Sequence, residues 1–113
     1  MKVNQRQRDG VTILDLKGKI TLGTGDILLR NAVQDALNGG ARQILLNLRD
    51  VSTIDSSGVG ELVSAYTTAV NRGGRLKLAG LPSKVTDILQ ITQLITVFEV
   101  YDDEDAAVAS FRS

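Results

Sequence analysis

The chain has 113 residues, of which 42% are hydrophobic and 23% charged, a composition typical of one globular domain and not of a disordered segment. Thirteen Lys and Arg balance thirteen Asp and Glu, and this zero net charge argues against sequence-independent binding of nucleic acid, which needs excess positive charge. The chain contains no Cys and no His, which excludes disulfides, thiolate nucleophiles, Cys-ligated zinc and a Ser-His-Asp triad.

The start of the chain is polar and lacks the apolar segment of a secretory signal. No apolar run approaches the length of about 18 residues that a membrane span requires. We therefore expect a cytoplasmic protein that inserts into no membrane and holds no metal or cofactor of its own.

In the first half of the chain, Asp9-Gly10 predicts a two-residue hairpin turn between strands over 3–8 and 11–17. Lys17-Gly18-Lys19 is predicted to end the second strand. Thr24 or Asp26 then offers a capping oxygen to a helix that stops at Gly39-Gly40. Its predicted buried positions are Leu29, Val33, Ala36 and Leu37.

In the second half, the apolar run 44–48 predicts a strand buried on both faces, as in a parallel sheet. A helix follows Gly58 and ends at Gly73-Gly74, with an apolar stripe of Val59, Leu62, Val63, Tyr66, Ala69 and Val70. A strand ending at Gly80, a short helix after Pro82, a strand over 97–101 and a terminal helix complete the chain.

The order β-β-α-β-α-β-α-β-α predicts one α/β domain over residues 1–113, with a mixed, mostly parallel sheet and packed helices. Two charged features have a structural interpretation in this fold. The acidic run 102–105 has two explanations, a metal site and a helix start. The helix start is favoured, because carboxylates there interact favourably with the helix dipole. The basic residues Arg6, Arg8, Lys17 and Lys19 are typical of an edge strand protected from pairing.

The segment Asp55-Ser56-Ser57-Gly58-Val59-Gly60 joins a buried strand to an amphipathic helix, at the edge where open α/β sheets present functional groups. One interpretation is that Asp55, Ser56 or Ser57 only caps the helix. The other is a regulated docking surface, because the two glycines would let a partner's backbone come close to the serines. A phosphate here would add about 1.5 to 2 negative charges at a helix N-terminus.

With this motif, the chain resembles the STAS-domain family, specifically the bacterial anti-sigma factor antagonists. The resemblance runs from about residue 3 to residue 111, through segments 11–18, 44–48, 54–60, 73–78, 85–89 and 94–98. It implies that Ser56 is phosphorylated by an anti-sigma factor that is also a serine kinase and binds the ATP. Phosphorylation then stops the antagonist from releasing a sigma factor, and a phosphatase resets the switch.

The resemblance also implies a docking face made of the loop 18–25 and the start of the helix. Its predicted partner-binding residues are Asp55, Ser57, Gly58, Thr21 and Thr24. The chain departs from the family at Lys19 and Thr21, where many antagonists carry acidic residues, and this puts the identity of the partner and the phosphorylation of Ser56 in question.

Two alternatives to this non-enzymatic switch stay open. The first is a constitutive scaffold subunit of a stress-signalling or lipid-transport complex, in which Ser56 only caps a helix. A small nucleotide- or phosphate-binding catalyst has less support, because no phosphate loop is present.

Overall fold

The computed structural model describes residues 1–112. The strands are β1 (Lys2–Arg8), β2 (Val11–Ile20), β3 (Gln43–Ile54), β4 (Arg75–Ala79) and β5 (Val100–Tyr101). The helices are α1 (Gly25–Asn38), α2 (Ser56–Asn71), α3 (Ser83–Ile91) and α4 (Glu104–Ser110), with a 3₁₀ turn at Leu94–Thr96.

The five strands form one sheet in the order β1-β2-β3-β4-β5. Strand β1 pairs antiparallel with β2, and all other neighbours are parallel, which confirms the predicted mixed α/β fold. The hairpin turn is confirmed too. Asp9 and Gly10 both have positive φ, 52° and 79°, as the tight turn between twisted strands requires.

The core lies on both faces of this sheet, because successive side chains of a strand point to opposite sides. One face carries Leu14, Leu16, Ile44, Leu46 and Leu78, which pack with the buried residues of α1, α2 and α3. The other carries Val11, Ile13, Leu45 and Ala79, which pack with Ala107, Val108 and Phe111 from α4 and its end. All four predicted core positions of α1 are buried.

The prediction that Lys17-Gly18-Lys19 ends the second strand is wrong. Strand β2 continues to Ile20 and stays paired with β3, through register shifts between Asp15 and Lys17 and between Gly18 and Lys19. Gly18 has a φ of 109°, which glycine adopts without strain. Long-range pairing with β3 therefore overrides the local breaker, and this carries the end of β2 to the start of α2.

The predicted strand over 97–101 is also mostly wrong, since only Val100 and Tyr101 pair with β4. Phe98 is buried and contacts Tyr66 edge to face, with ring centroids 5.6 Å apart. The chain therefore enters the helical layer before it joins the sheet. On α2, Val70 is 47% exposed although the stripe predicted it to be buried. Glu61 and Ala65 are buried although the stripe did not include them.

Candidate functional site

The ends of strands β2 and β3 bring the two predicted halves of the site together. Ile20 and Ile54, the last residues of these parallel strands, are directly paired. The chain leaves Ile20 through the loop 21–24 into α1, and leaves Ile54 through Asp55 into α2. Because both departures occur at the same edge of the sheet, the loop and the serine motif are neighbours, as the family resemblance implies.

Asp55 is the N-cap of α2. Its Oδ1 accepts a hydrogen bond from the Gly58 backbone N–H at 2.9 Å, and its Oδ2 accepts one from the Leu22 backbone N–H at 3.0 Å. Its own N–H donates to the Ile20 carbonyl oxygen at 3.4 Å. The Leu22 and Gly58 N–H groups hold the pKa of the Asp55 carboxyl below its usual range, because they stabilise the carboxylate. One side chain thus caps the helix and fastens the loop to it.

Two glycines allow both helices to begin against the end of β2. A Cβ on Gly25 would lie 1.9 Å from the Lys19 carbonyl oxygen, and a Cβ on Gly58 would lie 2.2 Å from the Ile20 carbonyl oxygen. Gly58 is buried, so it brings α2 close to β2 instead of clearing space outside the serines. Its contact with a partner stays a prediction. Gly60 is the exposed glycine, with open space around it.

Ser56 is the first residue of α2, and its side chain is exposed. Its hydroxyl makes no hydrogen bond with any group of residues 1–112. Ser57 is half-buried beside it. Since Asp55 performs the capping, the helix needs neither serine as its cap, and the exposed Ser56 hydroxyl lies at the positive end of the helix dipole.

The loop 21–24 is a compact turn. The Thr21 carbonyl oxygen accepts from the backbone N–H groups of Thr24, at 3.4 Å, and Asp26, at 3.2 Å. Thr24 is the N-cap of α1 but makes no side-chain cap, and the Asp26 carboxylate accepts from the Ile27 N–H at 2.8 Å. The predicted capping oxygen of Thr24 is therefore wrong, and Asp26 lies inside the helix it was expected to cap.

Beside the predicted residues, the structure brings up two features that the sequence analysis missed. Leu22 has 73% of its surface exposed, although its backbone N–H is held by a hydrogen bond to the Asp55 carboxylate. Arg30 of α1 binds Glu61 of α2 through two hydrogen bonds of 3.2 and 3.1 Å, and the Glu61 carboxylate raises the pKa of Arg30. An apolar residue in a short polar loop was a readable signal for Leu22, whereas nothing local pairs Arg30 with Glu61.

The acidic run 102–105 has a structural role. The Asp103 carboxylate caps α4 by accepting from the Ala106 N–H at 2.8 Å. Glu104 pairs with Arg6 and with Arg8, and Arg8 also reaches Asp105 at 2.6 Å. Within the part of the chain that the structure describes, no group of His, Cys, Asp and Glu side chains has the arrangement of a metal site. The arginines of the predicted basic edge are thus paired, while Lys17 and Lys19 are exposed.

Comparison with known proteins places the chain in context. An anti-sigma F factor antagonist of Paenibacillus polymyxa is 23% identical over 112 residues, covering 99% of this chain and 96% of that protein. The anti-sigma-B factor antagonist of Bacillus subtilis is 26% identical over 108 residues, covering 96% of this chain and 97% of the relative. The phosphorylated form of the Bacillus cell fate determinant SpoIIAA has the same fold, with a TM-score of 0.74 at 20% identity, and the match covers 97% and 99% of the two chains.

The described helices include none that is long and apolar enough to cross a membrane. The model of the STAS domain matches residues 2–107, which include every strand, the loop 21–24 and the serine motif at the start of α2. The chain belongs to the STAS domain family.

Proposed function

We propose that this protein is an anti-sigma factor antagonist and that Ser56 is its phosphorylation site. The partner is an anti-sigma factor with serine kinase activity, which supplies the bound ATP. The unphosphorylated antagonist binds it and frees a sigma factor, and a phosphatase restores that state. The observation that carries the proposal is the exposed Ser56 hydroxyl, which makes no hydrogen bond within residues 1–112 because Asp55 already caps the helix.

Phosphorylation changes the charge at the centre of the docking surface, which we define as residues 18–25, from the end of β2 to the first residue of α1, together with the start of α2. A bond forms between the Ser56 Oγ and the γ-phosphorus of ATP, the bond from that phosphorus to ADP breaks, and the hydroxyl proton is released. The product carries about 1.5 to 2 negative charges where the free protein has a neutral hydroxyl. A partner that fits the neutral surface loses both shape and electrostatic complementarity.

The fold can carry this charge without unfolding, for two reasons. The first turn of α2 presents backbone N–H groups and the positive end of the helix dipole, which favour an anion. The second reason is that SpoIIAA has this same fold in its phosphorylated form. The neighbouring Asp55 carboxylate repels the phosphate, which limits this stabilisation.

The test is capture of partners from a lysate of the source cells, with ATP or ADP present. Wild-type protein is compared with Ser56→Asp and with Ser64→Asp, which places the same charge at an exposed position two turns further along α2. We expect wild type and Ser64→Asp to retain an anti-sigma factor in ADP, and Ser56→Asp to lose it. In ATP, mass spectrometry should find phosphate on Ser56 of the wild-type protein.

Two results would contradict the proposal. One is retention of the anti-sigma factor by Ser56→Asp at the wild-type level. The other is stable capture of scaffold or transporter subunits by both forms with Ser56 unmodified, which would make the chain a constitutive subunit instead.

A further inference from the structure

Large apolar side chains are exposed close to Ser56. Leu22 lies in the loop that Asp55 fastens to α2, and Ile27, also exposed, lies in the first turn of α1. Ile27 is one turn before Arg30, which contacts Glu61 of α2, so Ile27 and Arg30 lie on the same face of α1. Exposed apolar residues that lie together mark interaction sites, whereas single ones are ordinary.

Leu22 is held in its exposed position by a specific bond. Its backbone N–H donates to Asp55 Oδ2 at 3.0 Å, while the other turn bonds of this loop run from the Thr24 and Asp26 N–H groups to the Thr21 carbonyl oxygen. The next residue, Gly23, has a φ of 85° and open space around it. The Asp55 carboxylate therefore fixes the backbone of the loop at Leu22.

We infer that Asp55 is a positioning residue, which presents Leu22 to an apolar pocket of the anti-sigma factor and releases it when Ser56 is phosphorylated. This inference rests on the proposed function. It adds that Leu22 makes the contact with the partner and that the bond from Leu22 to Asp55 controls this contact. The occupant is the anti-sigma factor because Leu22 and Ser56 lie on one surface, joined through a single side chain.

The link follows from competition for the same donors. Asp55 Oδ1 occupies the Gly58 N–H, the third backbone N–H of α2. A phosphate on the first residue of the helix seeks the same N–H groups and brings a second negative charge next to the carboxylate. Because the two anions repel each other, Asp55 moves away from the helix start, and the bond to the Leu22 N–H weakens.

The first experiment needs no partner. Protein labelled with ¹⁵N is prepared unmodified, with phosphoserine incorporated at position 56, and as Asp55→Ala. Water-exchange NMR then compares the Leu22 amide with the Ala106 amide, which also donates to an aspartate carboxylate, that of Asp103 at the start of α4. We expect the Leu22 amide to exchange about tenfold faster in both altered proteins, while the Ala106 amide is unchanged. An unchanged Leu22 rate in the phosphoprotein would overturn the link.

The second experiment measures affinity for the purified anti-sigma factor recovered by capture. Leu22→Ala and Asp55→Ala should each weaken binding about tenfold, and the double variant should bind little worse than the weaker single variant, because both changes remove one contact. The matched controls are Ile91→Ala, an equally exposed apolar residue on α3, and Asp103→Ala, the cap of α4. Both controls should bind within twofold of wild type.

The two proposals fail in different ways. If wild-type protein binds no anti-sigma factor, the proposed function is wrong. If wild type binds and Ser56→Asp does not, while Leu22→Ala binds as tightly as wild type, the function stands and this inference is overturned. Independent, multiplying effects of Leu22→Ala and Asp55→Ala would also overturn it. Asp55→Asn, which keeps an acceptor oxygen and the side-chain size, tests the same link if Asp55→Ala does not fold.

Discussion

Helices α2 and α4 both begin at an aspartate whose carboxylate accepts a hydrogen bond from the backbone N–H three residues later, Asp55 from Gly58 and Asp103 from Ala106. The first three helical positions after the cap then differ. They are Ser56, Ser57 and Gly58 in α2, and Glu104, Asp105 and Ala106 in α4.

At α4 the first two positions are used by the fold, since Glu104 and Asp105 pair with arginines of β1. At α2 they are neutral hydroxyl groups, exposed on Ser56 and half-buried on Ser57, and the third position is the one in contact with the sheet. The same capping device therefore supports a helix start that is paired with a distant strand at one place and a helix start with an exposed hydroxyl at the other. What differs is whether a distant element of the chain covers the first turn.

The third helical position, Gly58 in α2 and Ala106 in α4, should show the largest difference in the free energy of unfolding. Gly58→Ala should lower the free energy of unfolding by about 3 kcal/mol, because its Cβ would meet the Ile20 carbonyl oxygen at 2.2 Å and the backbone must shift. The reciprocal change Ala106→Gly should cost only about 0.5–1 kcal/mol, the ordinary preference of a helix for alanine. Urea unfolding of both variants measures this, and equal losses would contradict the close approach at α2.

The first helical position, Glu104 in α4, should show a smaller effect on the free energy of unfolding, and this effect depends on pH. Hydrogen bonds from Arg6 hold the pKa values of the Asp15 and Glu104 carboxyls below their usual range. Because these pKa values are lower in the folded than in the unfolded protein, the stabilisation is complete at neutral pH. It is lost as the pH falls below about 4, through the folded pKa values.

Glu104→Gln should therefore lower the free energy of unfolding by about 1 kcal/mol at pH 7, since the network is partly exposed, and should flatten the acid dependence. Urea unfolding between pH 7 and pH 3 checks this, with Asp87→Asn on an exposed face of α3 as the control. Ser56→Ala, at the equivalent position of α2, should leave stability within about 0.5 kcal/mol of wild type. An unchanged pH profile for Glu104→Gln would show that the Glu104 carboxylate contributes nothing to the pH dependence of stability.

The second position should show the smallest effect. Ser57→Ala should change the free energy of unfolding by less than about 0.5 kcal/mol, because Asp55 and not Ser57 caps the helix. It should also keep ATP-dependent phosphate on residue 56, which mass spectrometry can locate. Phosphate that disappears with Ser57→Ala and persists with Ser56→Ala would move the proposed site by one residue.

Much of the fold could be read from the sequence because its signals act over a few residues. The Asp9-Gly10 turn, the glycine stops of α1 and α2 and the apolar periodicity of α1 each depend on local backbone geometry or on one face of a helix. The predictions failed where pairing with a distant strand decided the outcome, as at Gly18, or where a side chain packed into the helical layer, as at Phe98.

The serine motif and its place at a strand-to-helix junction can be recognised from the sequence alone, because a cap, a glycine and an amphipathic helix follow each other directly in the chain. The sequence alone does not show that Asp55 is the cap, that Gly58 is buried or that Leu22 bonds to Asp55. The last two of these features join residues that are far apart in sequence, and their positions follow from how β2 and β3 end side by side. Local chemistry thus marked which residues could react, and the packing of the sheet set which of them are held, buried or left exposed.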